Sequence, residues 1–271
     1  MKNIITLVSS KGGTGKTTVA LNLAVAFAER GRQTLLMDLD PQGAIGLSLA
    51  KGDTEWIGLA EYLVGQASLD EAILQTKLPS LSLLPRGRLD PMDVPMYEQA
   101  LHSSAALSNL LARLDGRYHV VILDNPSGFG LVPRASLSVA DFAVIPLQAE
   151  ALALRSILQI LRVIDGVRDR DNPRLRLLGI LPTMVQLRHQ SSFNVISQVW
   201  SGFGGCLETY IPFAEVFTTA SAQGLPVAFL DGPLHPEATR FDMLAAELEQ
   251  VMVRQKREIG ELYERPRREL V

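Results

Sequence analysis

The 271-residue sequence contains a single cysteine, Cys206. One thiol cannot close an intrachain disulfide or build a structural zinc site from several cysteines. It also cannot supply two thiolates per subunit to an iron–sulfur cluster that two subunits share. The composition therefore excludes disulfide-rich, zinc-cluster and iron–sulfur proteins, and it indicates a reducing compartment.

Long hydrophobic runs are missing as well. Residues 1–8 lack the extended apolar stretch and the small-residue cleavage site of a secretory signal. No later segment reaches the roughly 18 uncharged apolar residues of a membrane-spanning helix. The chain also has no internal repeat, Gly/Ser linker or low-complexity tract. We expect a soluble, cytoplasmic protein with one domain over residues 1–258 and a C-terminal tail over residues 259–271.

Neither charge sign is in strong excess, since 26 Lys and Arg stand against 29 Asp and Glu, for a net charge of −3. This balance hides one basic segment, residues 155–189, with 7 basic and 3 acidic residues. A solvated helix face explains such an excess about as well as a nucleic-acid site does. Both interpretations stay open on charge alone.

Short apolar runs rich in β-formers alternate with longer segments of helical period, which is typical of a parallel sheet covered by helices on both faces. Strands are predicted at Ile4–Val8, Thr34–Met37, Leu81–Leu84, His119–Leu123, Phe142–Pro146 and Leu177–Leu181, with weaker candidates at Leu207–Ile211 and Val227–Leu230. Helices are predicted at Lys16–Arg30, Tyr97–Leu114, Ala151–Val167, Gln190–Trp200 and Glu237–Glu258. The predicted fold class is α/β, with a single doubly wound, mostly parallel sheet of about six to eight strands.

A glycine-rich segment follows the first predicted strand and leads into a helix. It reads Ser10-Lys11-Gly12-Gly13-Thr14-Gly15-Lys16-Thr17-Thr18. Glycines let backbone N–H groups approach a triphosphate closely, and the positive end of the helix faces the same ligand. By this motif Lys16 reaches the β- and γ-phosphates, Thr17 places its hydroxyl on Mg²⁺, and Thr18 lies at the α-phosphate. The segment therefore predicts a phosphate-binding loop for ATP and Mg²⁺.

This loop differs from the usual form G-x-x-x-x-G-K-[ST], because its first position is Ser10 and it carries a second lysine, Lys11. The run K-G-G-T-G-K-T-T resembles the deviant Walker A loop of the ParA/MinD class of P-loop ATPases, and most closely the ParA/Soj-like partitioning ATPases. The resemblance implies that Lys11 crosses a dimer interface and contacts the nucleotide of the partner subunit. ATP would then hold two copies of the chain together as a sandwich dimer.

Two carboxylates follow the second predicted strand, in Asp38-Leu39-Asp40-Pro41-Gln42-Gly43. Acidic residues at i and i+2 beyond a strand point to the same side, at the sheet edge where ligands bind. The segment is similar to the D-x-D-P-Q-G motif of ParA-like proteins. That similarity implies that Asp40 orients or activates the attacking water, and that Asp38 supports the magnesium shell and the switch. Together with Lys11 and Lys16, Asp40 completes the predicted catalytic set.

A further acid ends the apolar run Tyr118-His119-Val120-Val121-Ile122-Leu123-Asp124, which has the form of a Walker B strand. A buried carboxylate stays ionised only beside a cation or hydrogen-bond donors, and Mg²⁺ held jointly with Thr17 would supply the cation. ParA-like proteins usually continue D-x-P-P, whereas this chain continues Asn125-Pro126-Ser127-Gly128. We expect Thr17, Asp38 and Asp124 around the metal, followed by a flexible segment that senses the γ-phosphate.

Weaker similarities extend the resemblance over about residues 1–250 of the chain. Leu178–Met184 matches the family strand that leads towards the adenine pocket, and Ile211-Pro212 matches a later I-P step. On this basis Thr183 and Pro212 are predicted beside the nucleotide.

The resemblance implies an ATP-dependent homodimer that coats non-specific DNA until a ParB-like or other adaptor protein stimulates its slow hydrolysis of ATP. Candidate DNA contacts are arginines of the basic segment: Arg155, Arg162, Arg168, Arg170 and Arg188. One departure weakens this interpretation. Partitioning ATPases commonly read I-P-R-N after the late strand, whereas this chain continues Phe213-Ala214-Glu215 and lacks those basic residues.

Two alternatives remain at this stage. A MinD-like positioning ATPase would end in an amphipathic membrane-targeting helix, but acids, Gly260 and Pro266 interrupt the apolar positions of this tail, which makes membrane targeting the weaker interpretation. A metabolic P-loop synthetase would use a similar loop and would need a substrate pocket. Lys11 and the D-x-D-P-Q-G segment favour the switch ATPase over the synthetase.

Overall fold

The computed structural model describes residues 2–49, 56–103, 105–150, 153–202 and 205–264. Its strands form one seven-stranded sheet in the order β3-β4-β2-β5-β1-β6-β7. Every neighbouring pair is parallel except β3 and β4. The strands are β1 Asn3–Leu7, β2 Thr34–Asp38, β3 Leu74–Gln75, β4 Leu81–Leu84, β5 Val120–Asp124, β6 Phe142–Gln148 and β7 Arg176–Thr183. The predicted doubly wound, mostly parallel sheet is therefore confirmed.

The helices cover both faces of this sheet. They are α1 Lys16–Glu29, α2 Ala44–Leu49, α3 Leu59–Leu63, α4 Leu69–Ala72, α5 Val94–His102, α6 Ala106–Arg113, α7 Leu131–Val139, α8 Ala153–Arg170, α9 Gln190–Gly202, α10 Glu215–Gln223 and α11 Pro236–Glu264. Helices α1 and α11 pack on one face, and α3 to α9 pack on the other. Because strand side chains alternate between faces, Val121 and Leu123 of β5 join the second layer while Val120 and Ile122 join the first.

Two of the weaker strand predictions do not become sheet strands. Val227–Leu230 was expected as a strand, but residues Val227–Phe229 form a 3₁₀ helix. The Val227 N–H donates to Asn22 Oδ1 of α1 at 2.8 Å, and the Phe229 N–H donates back to Pro226 O at 2.9 Å, so this backbone is satisfied without a sheet partner. Residues 207–211 run along the edge of β7, where the chain makes only isolated bridges, Ile180↔Cys206 and Val185↔Pro212.

The predicted helix Tyr97–Leu114 is divided into α5 and α6. Helix α5 ends at His102, and Ser103 takes an extended conformation with φ −58° and ψ 128°. Helices α7 and α10 were not predicted at all. The short strand β3 was also missed, although it covers the outer edge of β4.

The parallel strands bring the predicted motifs to one edge of the sheet. Leu7 of β1 and Asp38 of β2 both pair with Asp124 of β5, so three strands end side by side. The loops that follow them, residues 8–15, 39–43 and 125–130, converge there as the topology of a doubly wound sheet requires.

Candidate functional site

The glycine-rich loop, residues 9–15, lies between β1 and the first turn of α1. Gly13 and Gly15 take left-handed conformations, with φ of 76° and 80°. Gly15 immediately precedes α1, and no side chain in the described ranges caps this end of the helix. The first N–H groups of α1 are therefore left for a ligand, and the helix dipole makes an anion the favoured one.

Lys16, the first residue of α1, is buried inside the loop with 7% of its surface exposed. Its ammonium donates to Ser9 Oγ at 2.9 Å and to Ser127 Oγ at 2.7 Å. Burial lowers the pKa of Lys16, and the nearby carboxylates of Asp124 and Asp40 oppose that shift. The ammonium thus lies at the centre of the site, between hydroxyls that an anion can replace.

Asp124 ends β5 and is completely buried. Within the described residues, neither of its carboxylate oxygens has a hydrogen-bond partner of ordinary geometry. Burial raises the pKa of Asp124 to about 7, and the Thr17 hydroxyl and the Lys16 ammonium oppose the rise. An ionised carboxylate without partners is costly in this setting, and a divalent cation shared with Thr17 would remove that cost. The residues present therefore fit a magnesium ion.

The two acids of the D-x-D-P-Q-G segment have different surroundings. Asp38 is buried, and its oxygens accept the N–H groups of Asp40 at 3.1 Å and Ile45 at 2.9 Å. Burial and the neighbouring Asp124 raise its pKa well above the usual range. Asp40 is half-buried, and its Oδ1 accepts the Gln42 N–H at 2.9 Å. Asp38 thus fixes the turn, and Asp40 presents a carboxylate near the phosphate loop.

No group of three or more His, Cys, Asp or Glu side chains in the described ranges is arranged to hold a metal. Mg²⁺ commonly takes one or two carboxylate or hydroxyl ligands and completes its shell with water and phosphate oxygens. The site is consistent with that mode, because both oxygens of Asp38 are engaged by backbone N–H groups, whereas those of Asp124 have no partner of ordinary geometry in the part of the chain that the structure describes.

The second loop lysine, Lys11, has a different environment from Lys16. Its side chain is exposed, and among the described residues none is found to hydrogen-bond or pair with it. Lys11 borders a small cavity of ≈ 110 Å³ between the loop and α8, together with Gln148 and Glu150. One lysine is therefore enclosed by its own site, while the other is presented outward from the same loop.

An apolar cavity of ≈ 310 Å³ opens beside the start of α1. Thr183 and Pro212, the two residues predicted near the base, both line it, as do Thr18 and Phe213. Thr183 also donates its hydroxyl to Thr14 O at 2.9 Å, which ties the end of β7 to the phosphate loop. The cavity lies next to Gly15 and Thr18, where the sugar and base of a bound nucleotide would extend from the phosphates.

Three residues of the site were missed in the sequence. Ser9 and Ser127 both bond Lys16, and Met184 lines the apolar cavity with a left-handed φ of 52°. The sequence shows that Ser127 replaces the second proline of the D-x-P-P pattern, but it does not show that this serine contacts Lys16. Nothing in the local sequence marks Met184, because its backbone conformation follows from the loop between β7 and α9.

The five candidate DNA-binding arginines do not form one cluster. Arg155 and Arg162 are exposed on α8, and Arg188 is exposed in the loop after β7. Arg168 pairs with Asp165 at 2.7 Å near the other end of α8. With a rise of about 1.5 Å per residue, Arg155 and Arg170 lie about 22 Å apart along the helix. The set is therefore spread along α8, with Arg155 at its start, Arg162 midway, and Arg168 and Arg170 at its end.

None of the described helices is long and apolar enough to cross a membrane. The tail residues that carried the weaker membrane interpretation fall outside the described side chains. Helix α11 continues to Glu264, but its side chains beyond Arg257 are not described.

Comparisons with known proteins agree with this geometry. The sequence profile of a family described as an AAA domain matches residues 2–177. The chain is 33% identical over 232 residues to the chromosome partitioning protein ParA of Caulobacter vibrioides, across 84% of this chain and 87% of that protein.

Solved structures of the same fold cover most of the chain. The septum site-determining protein MinD of Pyrococcus horikoshii, complexed with Mg-ADP, superposes with a TM-score of 0.76 at 27% identity, over 93% of this chain and 98% of that one. Cobyrinic acid a,c-diamide synthase of Mycobacterium smegmatis, with bound ADP and magnesium, superposes with a TM-score of 0.75 at 30% identity, over 92% and 95%. With its two-lysine loop and its acidic strand ends, the chain belongs to the ParA/MinD family of deviant Walker A P-loop ATPases.

Proposed function

We propose that this protein is a ParA-like ATPase that binds ATP with Mg²⁺, forms a sandwich homodimer around the nucleotide, and hydrolyses ATP slowly until a partner stimulates it. Its task would be to partition or position DNA or a protein cargo. The observation that carries the proposal is the contrast between two lysines of one loop. Lys16 is enclosed in the site, whereas Lys11 is exposed beside it.

ATP and Mg²⁺ are the proposed ligands, in line with the nucleotide and magnesium in the two solved relatives. The N–H groups of residues 12–18 and the Lys16 ammonium would hold the phosphates. Thr17 and Asp124 would hold the metal, with Asp38 acting on that shell through the turn it fixes. Magnesium would neutralise charge on the phosphate oxygens.

Asp40 is the proposed residue for the attacking water. Its Oδ1 is held by the Gln42 N–H at 2.9 Å, so the carboxylate keeps one orientation. The backbone carbonyl of Asp40 also accepts a hydrogen bond from the Gly43 N–H at 2.8 Å, and this bond closes the turn. A fixed carboxylate can orient a water molecule or take its proton as the water attacks the γ-phosphorus.

A synthetase is the competing function, and one of the similar solved structures carries that name. A synthetase needs room for a second substrate close to the γ-phosphate. The cavity that adjoins the phosphate loop on the side of Lys11 measures ≈ 110 Å³ in the described structure. Small-molecule sites are usually about 300–1,000 Å³. The larger apolar cavity lies on the base side of the loop, so the geometry favours the switch ATPase.

Non-specific DNA is the proposed matrix. Arg155 at the start of α8 and Arg188 after β7 are exposed near the sheet edge that carries the nucleotide loop, and Arg162 is exposed midway along α8, so dimerisation could bring two copies of this group onto one surface. The adaptor that stimulates hydrolysis would be a ParB-like or other protein.

The experiment combines turnover with DNA binding. The purified chain should hydrolyse ATP slowly in Mg²⁺, and the Asp40→Ala variant should bind ATP without hydrolysing it. This variant should retard unrelated DNA duplexes in a gel at low salt with ATP, and not with ADP. If the variant dimerises with ATP and still retards no duplex, DNA is not the matrix. Fast turnover that depends on a small molecule would support the synthetase instead.

A further inference from the structure

The segment after β5 carries the clearest departure from the family pattern. Asn125 is buried, and its Nδ2 donates to Thr6 Oγ1 at 2.7 Å and to Leu7 O at 2.9 Å. These bonds fix the start of the segment to β1. Two residues later stands Ser127, where the D-x-P-P pattern has a second proline, and Gly128 follows with a left-handed φ of 94°. The segment is thus anchored at one end and can turn at the glycine.

Ser127 lies directly over the phosphate loop. Its Oγ accepts the Lys16 ammonium at 2.7 Å, and a Cβ placed on Gly12 would lie 3.8 Å from the same oxygen. The Gly128 N–H donates to Ser9 O at 2.9 Å. Ser9 is the second acceptor of Lys16, at 2.9 Å. The side-chain and backbone bonds together hold residues 127–128 against the loop.

A serine hydroxyl can accept and donate at the same time, whereas a proline can do neither with its side chain. In this structure Ser127 accepts from Lys16, and among the described residues none accepts a hydrogen bond from its hydroxyl. Ser127 is also exposed, so its proton is accessible from the ligand side. An anion oxygen that bonds Lys16 would therefore lie beside a free O–H donor.

We propose that Ser127 is a specificity-determining residue that distinguishes ATP from ADP. Without nucleotide, its oxygen holds Lys16. With ATP, Lys16 turns to the phosphates, and the released hydroxyl donates to a γ-phosphate oxygen, which ADP lacks. This inference rests on the proposed ATP site and adds a sensor that the usual proline could not supply.

The test compares the affinities of full-length variants for ADP and for a non-hydrolysable ATP analogue, by calorimetry in Mg²⁺. Ser127→Ala should lower the preference for the ATP analogue over ADP about tenfold, the usual worth of one charge-assisted hydrogen bond. Ser127→Thr keeps the hydroxyl and should restore the preference to within about twofold of the natural chain. The matched control is Ser201→Ala, an exposed serine on α9, which should leave the preference unchanged.

A loss of packing alone would weaken both nucleotides equally and would not be rescued by threonine. An unchanged preference in Ser127→Ala, or a Ser127→Thr variant that behaves like Ser127→Ala, overturns the sensor role while the ATP site stands. If the natural chain binds neither nucleotide, the proposed site and the sensor both fall. These results separate the inference from the function on which it rests.

Discussion

At the scale of single residues, the site contains an acidic side chain to which the folded chain gives few hydrogen bonds. Asp124 is buried, neither of its oxygens has a hydrogen-bond partner of ordinary geometry among the described residues, and its pKa is raised to about 7. A sequence can show that an acid ends an apolar strand. It cannot show how few well-formed hydrogen bonds the folded chain gives that acid, because the donors come from other strands and loops. The missing partners are what make the residue suited to a metal.

The raised pKa of Asp124 predicts that the free energy of unfolding depends on pH. Its folded pKa, about 7, exceeds the ordinary value of 3.8, so its protonated form stabilises the nucleotide-free fold at low pH. That stabilisation is lost as the pH rises through 7. Between pH 5.5 and pH 8 this one group should cost about 2 kcal/mol of unfolding free energy. Asp124→Asn should remove that part of the dependence and be more stable than the natural chain at pH 8.

Denaturant unfolding at the two pH values, without nucleotide or Mg²⁺, provides the measurement. The control is Asp231→Asn, the same change at an exposed carboxylate. Subtracting each variant from the natural chain removes the contribution of titrating groups far from Asp124, and the difference that remains belongs to Asp124 together with Asp38, whose pKa Asp124 helps to raise. If Asp124→Asn keeps the full pH dependence, the carboxylate is not the source of the destabilisation.

At the scale of elements, the base-side cavity depends on an extended segment that is not a strand of the sheet. Residues 205–213 run beside β7, and Pro212 and Phe213 at its end line the cavity. Gly179 of β7 allows this close approach, since a Cβ there would lie 2.6 Å from Leu207 Cγ and Cδ2 and 2.9 Å from Gly205 O. The segment and the strand must separate if any side chain is added.

Gly179→Ala should therefore destabilise the protein by about 1–3 kcal/mol, the usual cost of overpacking a core. It should also weaken nucleotide affinity, because the displaced segment carries Pro212. The matched control is Gly166→Ala within α8, where an added Cβ meets nothing within 4 Å. The control should raise stability by about 0.5–1 kcal/mol from helix propensity. Equal stability of the two variants, measured by thermal unfolding, would contradict the close packing.

The central elements could be predicted from the sequence, because β1, β2, β5 and β6 are apolar runs with clear ends. The less regular elements could not. Residues 227–229 are apolar enough for a strand, but the Val227 N–H donates a hydrogen bond to the side chain of Asn22. This tertiary hydrogen bond overrides the local strand propensity. Similarly, the site was predictable from its motifs, whereas the Ser127–Lys16 contact joins residues that no motif relates.

Helix α8 permits a matched test of DNA binding. Replacing Arg155 and Arg162 with glutamine removes one charge at the nucleotide edge and one at the middle of α8, and replacing Arg168 and Arg170 removes two towards the opposite edge. In the Asp40→Ala background with ATP, only the first pair should weaken DNA binding. The slope of log affinity against log salt should become shallower by up to about 3.6, since the dimer loses four arginines and each phosphate contact contributes about 0.9. If both double substitutions weaken DNA affinity equally, then binding depends on the net charge of the protein and not on a defined surface.

At the scale of the whole molecule, the proposed ATP-dependent dimer depends on charge. Each copy carries a net charge of −3, so two copies repel weakly, and a nucleotide adds further negative charge. A cation that crosses the interface would turn this repulsion into attraction. Lys11 is the proposed cation, because its side chain is exposed on the phosphate loop and no hydrogen-bond or ion-pair partner of its ammonium is found among the described residues.

Lys11→Ala should keep a folded, ATP-binding monomer, since Lys16 and the loop N–H groups remain, but should lose the ATP-dependent dimer. Each copy loses one charge pair across the interface at a cost of about 2–5 kcal/mol, two pairs in all, so the dimer should dissociate at least on the order of 1,000-fold more readily. Size-exclusion chromatography with light scattering, in the Asp40→Ala background, would measure the mass with ATP and with ADP. Lys77→Ala removes the same charge from an exposed residue before β4 and should dimerise normally. A Lys11→Ala chain that binds ATP and dimerises as tightly as this control would show that the second loop lysine acts only within its own subunit.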